Sequence, residues 1–240
     1  MSALAHYLEE DGIASVAIAL IRPQAENTRP PRALWVPFEL GRPIGPPSDA
    51  AFQKRVILAA LGLLETKKHA SLIVDFPADD PREAPDPKWQ PPIASVAAPE
   101  GPAEIAEAVE AELRALAPAY AASCAARERS TVGLSGLPPA ACGEYLATWL
   151  RGERPASAVA DMSPALALRF AIDDLKAFAL EAALQAGTKP SSKQLGDWLW
   201  NVTALGAALQ LLRQNCLAGD DERLKAVAAF FVPALRVPAG

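Results

Sequence analysis

The chain has 240 residues, 51% of them apolar, and a net charge of −5, which is the composition of a folded globular protein. The negative charge argues against nucleic acid as a main partner, because phosphate binding needs a concentrated basic surface. The apolar runs are far shorter than the roughly 18–20 residues of a membrane-spanning helix, so we expect no membrane partner. The N-terminal residues also lack the pattern of a secretory signal peptide.

The chain contains three cysteines and two histidines, which are too few and too widely spaced for a zinc site or a disulfide framework. Sparse cysteines in an odd number are typical of a reducing compartment, which predicts a cytoplasmic location. No GxGxxG, Walker, GxSxG or HExxH motif is present. The sequence therefore predicts neither a bound metal nor a cofactor.

The first part of the chain alternates between helical and strand-like patterns. A short helix is predicted over Ser2–Asp11, and Gly12 ends it. The uncharged run Ile13–Leu20 predicts a strand that is buried on both faces, as in parallel sheets. A helical turn over Gln24–Thr28 and a second strand over Ala33–Pro37 follow. Two apolar strands with a crossover between them predict a compact parallel α/β unit.

An amphipathic helix is predicted over Ala50–Thr66, with Ser48 or Asp49 as its N-cap. Two strands alone would leave one face and two edges of the sheet open. A third strand must come from Ala70–Phe76, from the proline-rich segment that follows, or from another chain. The sequence therefore predicts an obligate partner, either a second subunit or a second copy of the chain.

Between residues 77 and 102 there are eight prolines, which excludes helix and central strand. We interpret this segment as an extended connector, with Trp89 and Ile93 attaching it to a surface. The predicted organisation is an α/β unit over residues 1–76, a connector over 77–102 and a helical bundle over 103–240.

The last part of the chain has helical periodicity throughout. Five helices are predicted: Ala103–Arg127 with a kink near Pro118, a helix from Pro138-Pro139 to about Gly152, one from Ser163 to Gly187, one from Ser191 to Gly219, and a short one over Asp221–Phe231. The predicted fold class is thus α/β plus all-α: a small, incomplete doubly wound parallel sheet followed by a helical bundle.

The loop Phe38–Asp49 is the best candidate for a binding site. Ligands of open α/β sheets bind beyond the carboxyl ends of the strands, and Glu39 and Arg42 directly follow such an end. Gly41 and Gly45 permit unusual dihedral angles and close approach to the backbone. The N-terminus of the next helix can hold an anion such as a carboxylate.

Two further arginines, Arg29 and Arg32, precede the second strand and are candidates for holding a carboxylate substrate together with this loop. The alternative is structural: Glu39 and Arg42 pair with Arg29 or Arg32 and clamp a proline-rich turn. The sequence alone leaves both interpretations open.

His6 and Cys142 complete the set of candidates. His6 lies on the first predicted helix and is either a locally bonded surface residue or a site residue close to the strand ends. Cys142 lies in the first turns of its helix, where the dipole lowers the pKa of a thiol. It is a candidate nucleophile or, alternatively, a small buried residue beneath aromatic neighbours.

Three motifs follow one another within residues 4–66: a helix followed by Gly-Ile and an apolar strand (Leu8–Leu20), PPRAL before a strand (Pro30–Leu34), and the loop PFELGRPIGPP before the helix AFQKRVILAALGLLE. Together they resemble the C-terminal portion of the selenoprotein B family. This family comprises the substrate-binding components of glycine, sarcosine and betaine reductases and the related D-proline reductase subunit.

The resemblance implies reductive cleavage of a C–N bond by a selenocysteine or cysteine that lies just before the helix matching Ser2–Asp11. No cysteine precedes Gly12 in this sequence. The resemblance therefore implies that a partner subunit supplies the redox residue, while this chain contributes one wall of a site for a small carboxylate or amino-acid substrate.

Three hypotheses for the function follow. The first is a subunit of a selenoprotein B-type reductase, completed by a partner. The second is a non-catalytic binding or scaffold protein that uses the helical bundle for assembly. The third is a self-sufficient thiol enzyme that uses Cys142.

Overall fold

The computed structural model describes residues 2–66, 71–80, 84–94 and 101–233 of the chain. The chain divides into two compact units, Met1–Ala84 and Pro85–Gly240. The first is a small parallel α/β unit and the second is helical, which confirms the predicted fold class. Among the described residues, no helix combines the length and the hydropathy that crossing a bilayer requires.

The α/β unit contains a three-stranded parallel sheet in the order β1-β2-β3. Its elements are α1 (Ser2–Glu10), β1 (Ala17–Ala19), α2 (Arg22–Thr28), β2 (Arg32–Trp35), α3 (Ala50–Gly62, continued by a 3-10 turn over Leu63–Glu65) and β3 (Leu72–Asp75). Ala33 of β2 lies opposite Ala17 of β1 and Ile73 of β3. The segment after α3 thus supplies the third strand within the same chain.

Local signals set the ends of these helices. Gly12 has a φ of +80° and its N–H donates to the Glu9 carbonyl oxygen at 3.1 Å, which ends α1 as predicted. The Asp49 carboxylate accepts the N–H of Phe52 at 2.9 Å and so caps α3. Arg29 ends α2 in the left-handed conformation, with a φ of 43°.

Alternation along β2 separates the two faces of the sheet. Leu34 and Val36 are buried on the face that packs against Val56 of α3. Three phenylalanines extend this core, with ring centroids 5.5–5.9 Å apart: Phe38, Phe52 and Phe76. The predicted burial of the first strand on both faces is wrong, because β1 is short, lies at the edge of the sheet and is only partly buried.

The helical unit contains α4 (Pro102–Arg127), α5 (Pro139–Leu150), α6 (Pro164–Ala183), α7 (Ser192–Asn201), α8 (Ala204–Ala218) and α9 (Glu222–Ala228). Helix α4 packs against α5, α6 and α8, and α6 also contacts α5 and α9. The predicted caps are present: Ser163 accepts the N–H of Leu166, and Ser191 and Gln194 form a capping box. One continuous core of leucine, alanine and aromatic side chains fills the unit.

The predicted helix from Ser191 to Gly219 is wrong, since it is broken between Asn201 and Ala204 into α7 and α8. The Thr203 hydroxyl accepts the N–H of Gly206 at 2.9 Å and caps the second helix. Gly206 permits the close approach of the two helices, because a Cβ there would lie 2.0 Å from the carbonyl oxygen of Leu199.

A carboxylate from another helix also stabilises the start of α8 after this break. Glu112 of α4 is 3% exposed and accepts the N–H groups of Ala204 at 2.7 Å and Leu205 at 3.2 Å. Burial raises the pKa of Glu112, and the two backbone N–H groups act in the opposite direction by stabilising its charged form. The first turn of α8 therefore depends on a side chain that lies about ninety residues earlier in the sequence.

Part of the predicted connector belongs to the helical unit. The indole N–H of Trp89 donates to the carbonyl oxygen of Ala183 at 2.9 Å, and Ile93 packs against the helical core. Asp86 accepts the N–H of Lys189 at 2.6 Å. These contacts confirm that Trp89 and Ile93 attach the segment to a surface, whereas residues 81–83 and 95–100 of the predicted connector lie outside the described residues.

Candidate functional site

The candidate charged residues lie at opposite ends of the sheet. Arg32 begins β2 and Arg29 precedes it, whereas Glu39 and Arg42 follow the carboxyl end of β2. The four residues of β2 alone span about 13 Å. One small ligand therefore cannot contact both groups, and the fold does not form the single carboxylate site that the sequence suggested.

At the carboxyl end, Arg42 lies between two carboxylates. Its guanidinium is 2.8 Å from Glu39 and 3.5 Å from Asp80, whose side chain is fully buried. Two negative charges thus face one positive charge, and the loop is held against the residues that follow β3. Glu39 pairs with Arg42 itself, so the predicted clamp exists with a different partner from Arg29 or Arg32.

The two glycines of this loop have backbone roles. Gly41 and Gly45 have φ values of +93° and +90°, which non-glycine residues rarely adopt. Gly45 is buried, and a Cβ there would lie 2.4 Å from the ring of Phe52. At Gly41 the corresponding space is open. Gly45 therefore brings the loop close to α3 rather than to a ligand.

A second charged group at this end of the sheet was not predicted from the sequence. Arg22 of α2 forms ion pairs with Asp75 of β3 and, at 2.9 Å, with Glu26. Its guanidinium also lies over the ring of Trp35, 5.2 Å from the centroid. The indole N–H of Trp35 is buried and has no acceptor among the described residues. The positions of Arg22 and Asp75 in the sequence could have indicated this pair, since both lie at the carboxyl ends of strands.

At the amino end of the sheet, Arg32 already has internal partners. It is 8% exposed, lies 2.5 Å from Glu9 and donates to the carbonyl oxygen of Thr66 at 3.2 Å. The N–H of Ser15, together with the Arg32 guanidinium, holds the pKa of Glu9 below its ordinary value. Arg32 thus joins α1 to the sheet and is not available to a substrate carboxylate.

Arg29 and His6 also lie at the amino end. Arg29 is exposed at the C-terminus of α2, and the Nε2 atom of His6 is 3.2 Å from the carbonyl oxygen of Thr28. Both side chains are therefore remote from the Phe38–Asp49 loop. For His6, the geometry corresponds to the locally bonded surface residue.

Cys142 is fully buried in the helical unit, and this burial raises the pKa of its thiol. Ser135 lies 3.4 Å from the sulfur, and the nearby charge of Asp174 further disfavours the thiolate. The expectation of a lowered pKa at a helix N-terminus is therefore wrong, because desolvation outweighs the dipole. The hypothesis of a thiol enzyme based on Cys142 loses its physical basis.

Both units have concave surfaces. A cleft of about 480 Å³ in the helical unit is lined mainly by apolar groups, including Leu113, Tyr120 and Phe178. A groove of about 420 Å³ lies along β1 and is called the β1 groove; it is lined by residues 17–21, by α2, by Ala3 of α1, by Pro30 and by Leu40. Within the described ranges, no three metal-binding side chains converge on one point.

Comparisons of the chain with models of known protein families, with curated proteins and with solved structures give no match.

Proposed function

We propose that this protein is a non-catalytic subunit of a protein complex, and that its α/β unit binds a partner protein along the β1 groove. The observation that carries the proposal is the groove itself, which lies along β1, an edge strand of the sheet formed by the described residues, and contains exposed apolar side chains. Ile21 is 46% exposed and Leu40 is 72% exposed. An extended segment of a partner would pair with the free edge of β1 and cover these side chains.

The charged candidates support a binding role over catalysis. Arg42 and Arg32 are each engaged by carboxylates of the same unit. The buried thiol of Cys142 is poorly suited to nucleophilic attack, because burial raises its pKa. The three cysteines are free thiols, which supports a reducing, cytoplasmic setting.

The test is reconstitution of the complex. The chain is purified with its partner from cells under native conditions, the partner is identified and produced separately, and the affinity of the two proteins is measured. We expect Leu40→Asp to weaken binding at least about tenfold, because a charge replaces buried apolar area.

Leu134→Asp is the matched control, since Leu134 is a comparably exposed leucine, at 54%, in the helical unit. The control should bind like the wild type. A chain that forms no stoichiometric complex, or a Leu40→Asp variant with unchanged affinity, would overturn the proposal.

A second candidate function is that the complex catalyses a reductive reaction. The resemblance of residues 4–66 to selenoprotein B-type reductases supports a partner that supplies the redox cysteine or selenocysteine. The Phe38–Asp49 loop would then form one wall of the site, because it follows the carboxyl end of β2 and the Arg42 ion pairs hold it in place. The substrate would be a small carboxylate or amino-acid derivative.

This candidate has its own test. The reconstituted complex is assayed for reductive C–N cleavage of small amino-acid derivatives with a dithiol as reductant. We expect turnover that disappears when the partner's thiol or selenol is alkylated before assembly. A stable complex that shows no such reduction would exclude the reductase function and leave the binding function intact.

A further inference from the structure

Helix α3 has apolar side chains on two opposite faces. One face packs on the sheet through Phe52, Val56 and Ala60. The other face, with the exposed end of the 3-10 turn that continues it, is called the outer face of α3 and contains Lys54, Ile57, Leu58 and Leu61 of the helix and Glu65 of the turn. Its three large apolar side chains are 41%, 56% and 49% exposed, respectively. A contiguous group of exposed large apolar side chains favours association with another surface, so this face is a candidate interface.

The charges of the outer face suggest which occupant fits. Lys54 stands at one end of the stripe and Glu65 at the other, and both are exposed. A second α3 running antiparallel, about a two-fold axis between residues 59 and 60, brings each Lys54 opposite the other copy's Glu65. The same operation places Leu58 opposite Leu61.

The flank of the stripe at Gly62 is also open. No atom lies within 4 Å of the position that a Cβ would take there. A second helix can therefore approach this part of α3 closely, and the opposite charges and the apolar pairs coincide in one register.

We infer that two copies of this chain associate through the outer face of α3 as an antiparallel, two-fold symmetric pair. A two-fold interface must be complementary to itself, and the pairs Lys54–Glu65 and Leu58–Leu61 meet that condition. The two apolar faces of α3 then have separate roles, one in the fold of the unit and one between copies. The inference is independent of the partner proposed for the β1 groove.

The first test is the mass of the purified full-length chain, measured by sedimentation equilibrium over a range of concentrations. We expect a dimer for the wild type and at least about a tenfold weaker association for Leu58→Asp. Leu217→Asp is the control, since Leu217 is 40% exposed on α8 of the helical unit. A monomeric wild type, or a Leu58→Asp variant that dimerises normally, would overturn the inference.

The second test addresses the register with exposed residues whose replacement leaves the fold intact. Lys54→Glu and Glu65→Lys should each weaken the dimer, because like charges then face each other twice per interface. The double variant K54E/E65K should restore wild-type association. Single variants without effect, or a double variant as weak as either single variant, would contradict the antiparallel pairing.

Partner binding provides a readout that separates the two proposals. Leu58→Asp should leave the affinity of the β1 groove for its partner unchanged, and Leu40→Asp should leave the mass of the isolated chain unchanged. If Leu58→Asp abolishes partner binding while the wild type is monomeric, the outer face of α3 belongs to the partner and the inference fails.

Discussion

The two units of this chain differ in how they bury charge and apolar surface. In the helical unit, Asp174, Glu181 and Glu112 are buried, and each accepts a hydrogen bond from at least one backbone N–H group. In the α/β unit, five carboxylates pair with arginines instead: Glu9, Glu26, Glu39, Asp75 and Asp80. Of the twelve exposed large apolar side chains among the described residues, eight lie in the α/β unit, although it is the smaller of the two.

The helical unit thus satisfies its buried carboxylates internally, whereas the α/β unit leaves more of its large apolar side chains exposed. A buried carboxylate that is satisfied by backbone groups ties loops and helices of the same unit together. Exposed leucine and isoleucine side chains on a small unit instead favour association with another surface. The comparison therefore agrees with the interfaces proposed above, both of which lie in the first unit.

The largest expected effect is that of Asp174→Ala in the helical unit. Asp174 is 1% exposed and accepts the N–H groups of Gly133, Leu134 and Ser135 at 2.8 Å each. Its removal leaves these donors without an acceptor, so we expect a loss of about 3–5 kcal/mol in the free energy of unfolding. Urea denaturation followed by circular dichroism measures it.

Asp173→Ala is the matched control, because the neighbouring carboxylate is only half-buried and pairs with Arg169 and Lys176. Its loss should be about 1 kcal/mol or less. Equal losses for the two variants would remove the contrast between the units, since Asp174 would then contribute no more than a surface ion pair.

The pH dependence of stability provides a second measure of the contribution of Asp174. Burial alone would raise the pKa of Asp174, but the hydrogen bonds from Ser135, Gly133 and Leu134 outweigh it and lower the pKa. A carboxylate with a lowered folded pKa stabilises fully above its unfolded pKa of about 4, and this contribution is lost as the pH falls through the folded value. Below pH 4, therefore, wild-type stability should fall more steeply than that of Asp174→Asn, as thermal melts can show.

A smaller effect is expected in the α/β unit for Gly45→Ala compared with Gly41→Ala. Both glycines have positive φ values, so the left-handed conformation destabilises both variants by about 1–2 kcal/mol. Only at Gly45 does the new Cβ also meet the ring of Phe52. We expect Gly45→Ala to cost about 1–3 kcal/mol more than its control.

Hydrogen exchange of peptides from α3, before and after the substitution, measures this difference within the α/β unit. Gly45→Ala should accelerate exchange around Phe52 more than Gly41→Ala does. Identical exchange in the two variants would mean that the close approach of the loop to α3 does not contribute to the stability of the α/β unit.

The smallest effect concerns the thiols and changes no stability. Cys142 and Cys216 are buried, and burial raises the pKa of both, whereas Cys124 is partly exposed. Alkylation of the folded chain, followed by mass spectrometry, should therefore modify Cys124 first. Faster labelling of Cys142 would reopen the hypothesis of a thiol enzyme.

Local signals made much of the fold predictable. The caps at Asp49, Ser163 and Ser191 depend on residues three positions away, and all three are present. The fold class followed from the change between strand-like and helical periodicity. The short length and partial burial of β1 were missed, because a strand's position at the edge of a sheet is not encoded within the strand.

The candidate site was less predictable because its partners lie far away in the sequence. Arg32 pairs with Glu9 and Arg42 with Asp80, over separations of 23 and 38 residues. No pattern near the arginines shows that these carboxylates neutralise them. The same holds for Cys142, whose helix position suggested activation while the packing of the core determined the opposite.

The contact between Glu112 and the start of α8 has a consequence for how the helical unit is assembled. The hinge between α7 and α8 is specified in part by a residue 92 positions upstream, in addition to the local cap that Thr203 provides. A peptide cut out over residues 192–218 keeps the Thr203 cap but lacks the Glu112 acceptor, and we expect it to populate an uninterrupted helix more than the full chain does. The start of α8 thus depends on a tertiary contact as well as on its own sequence.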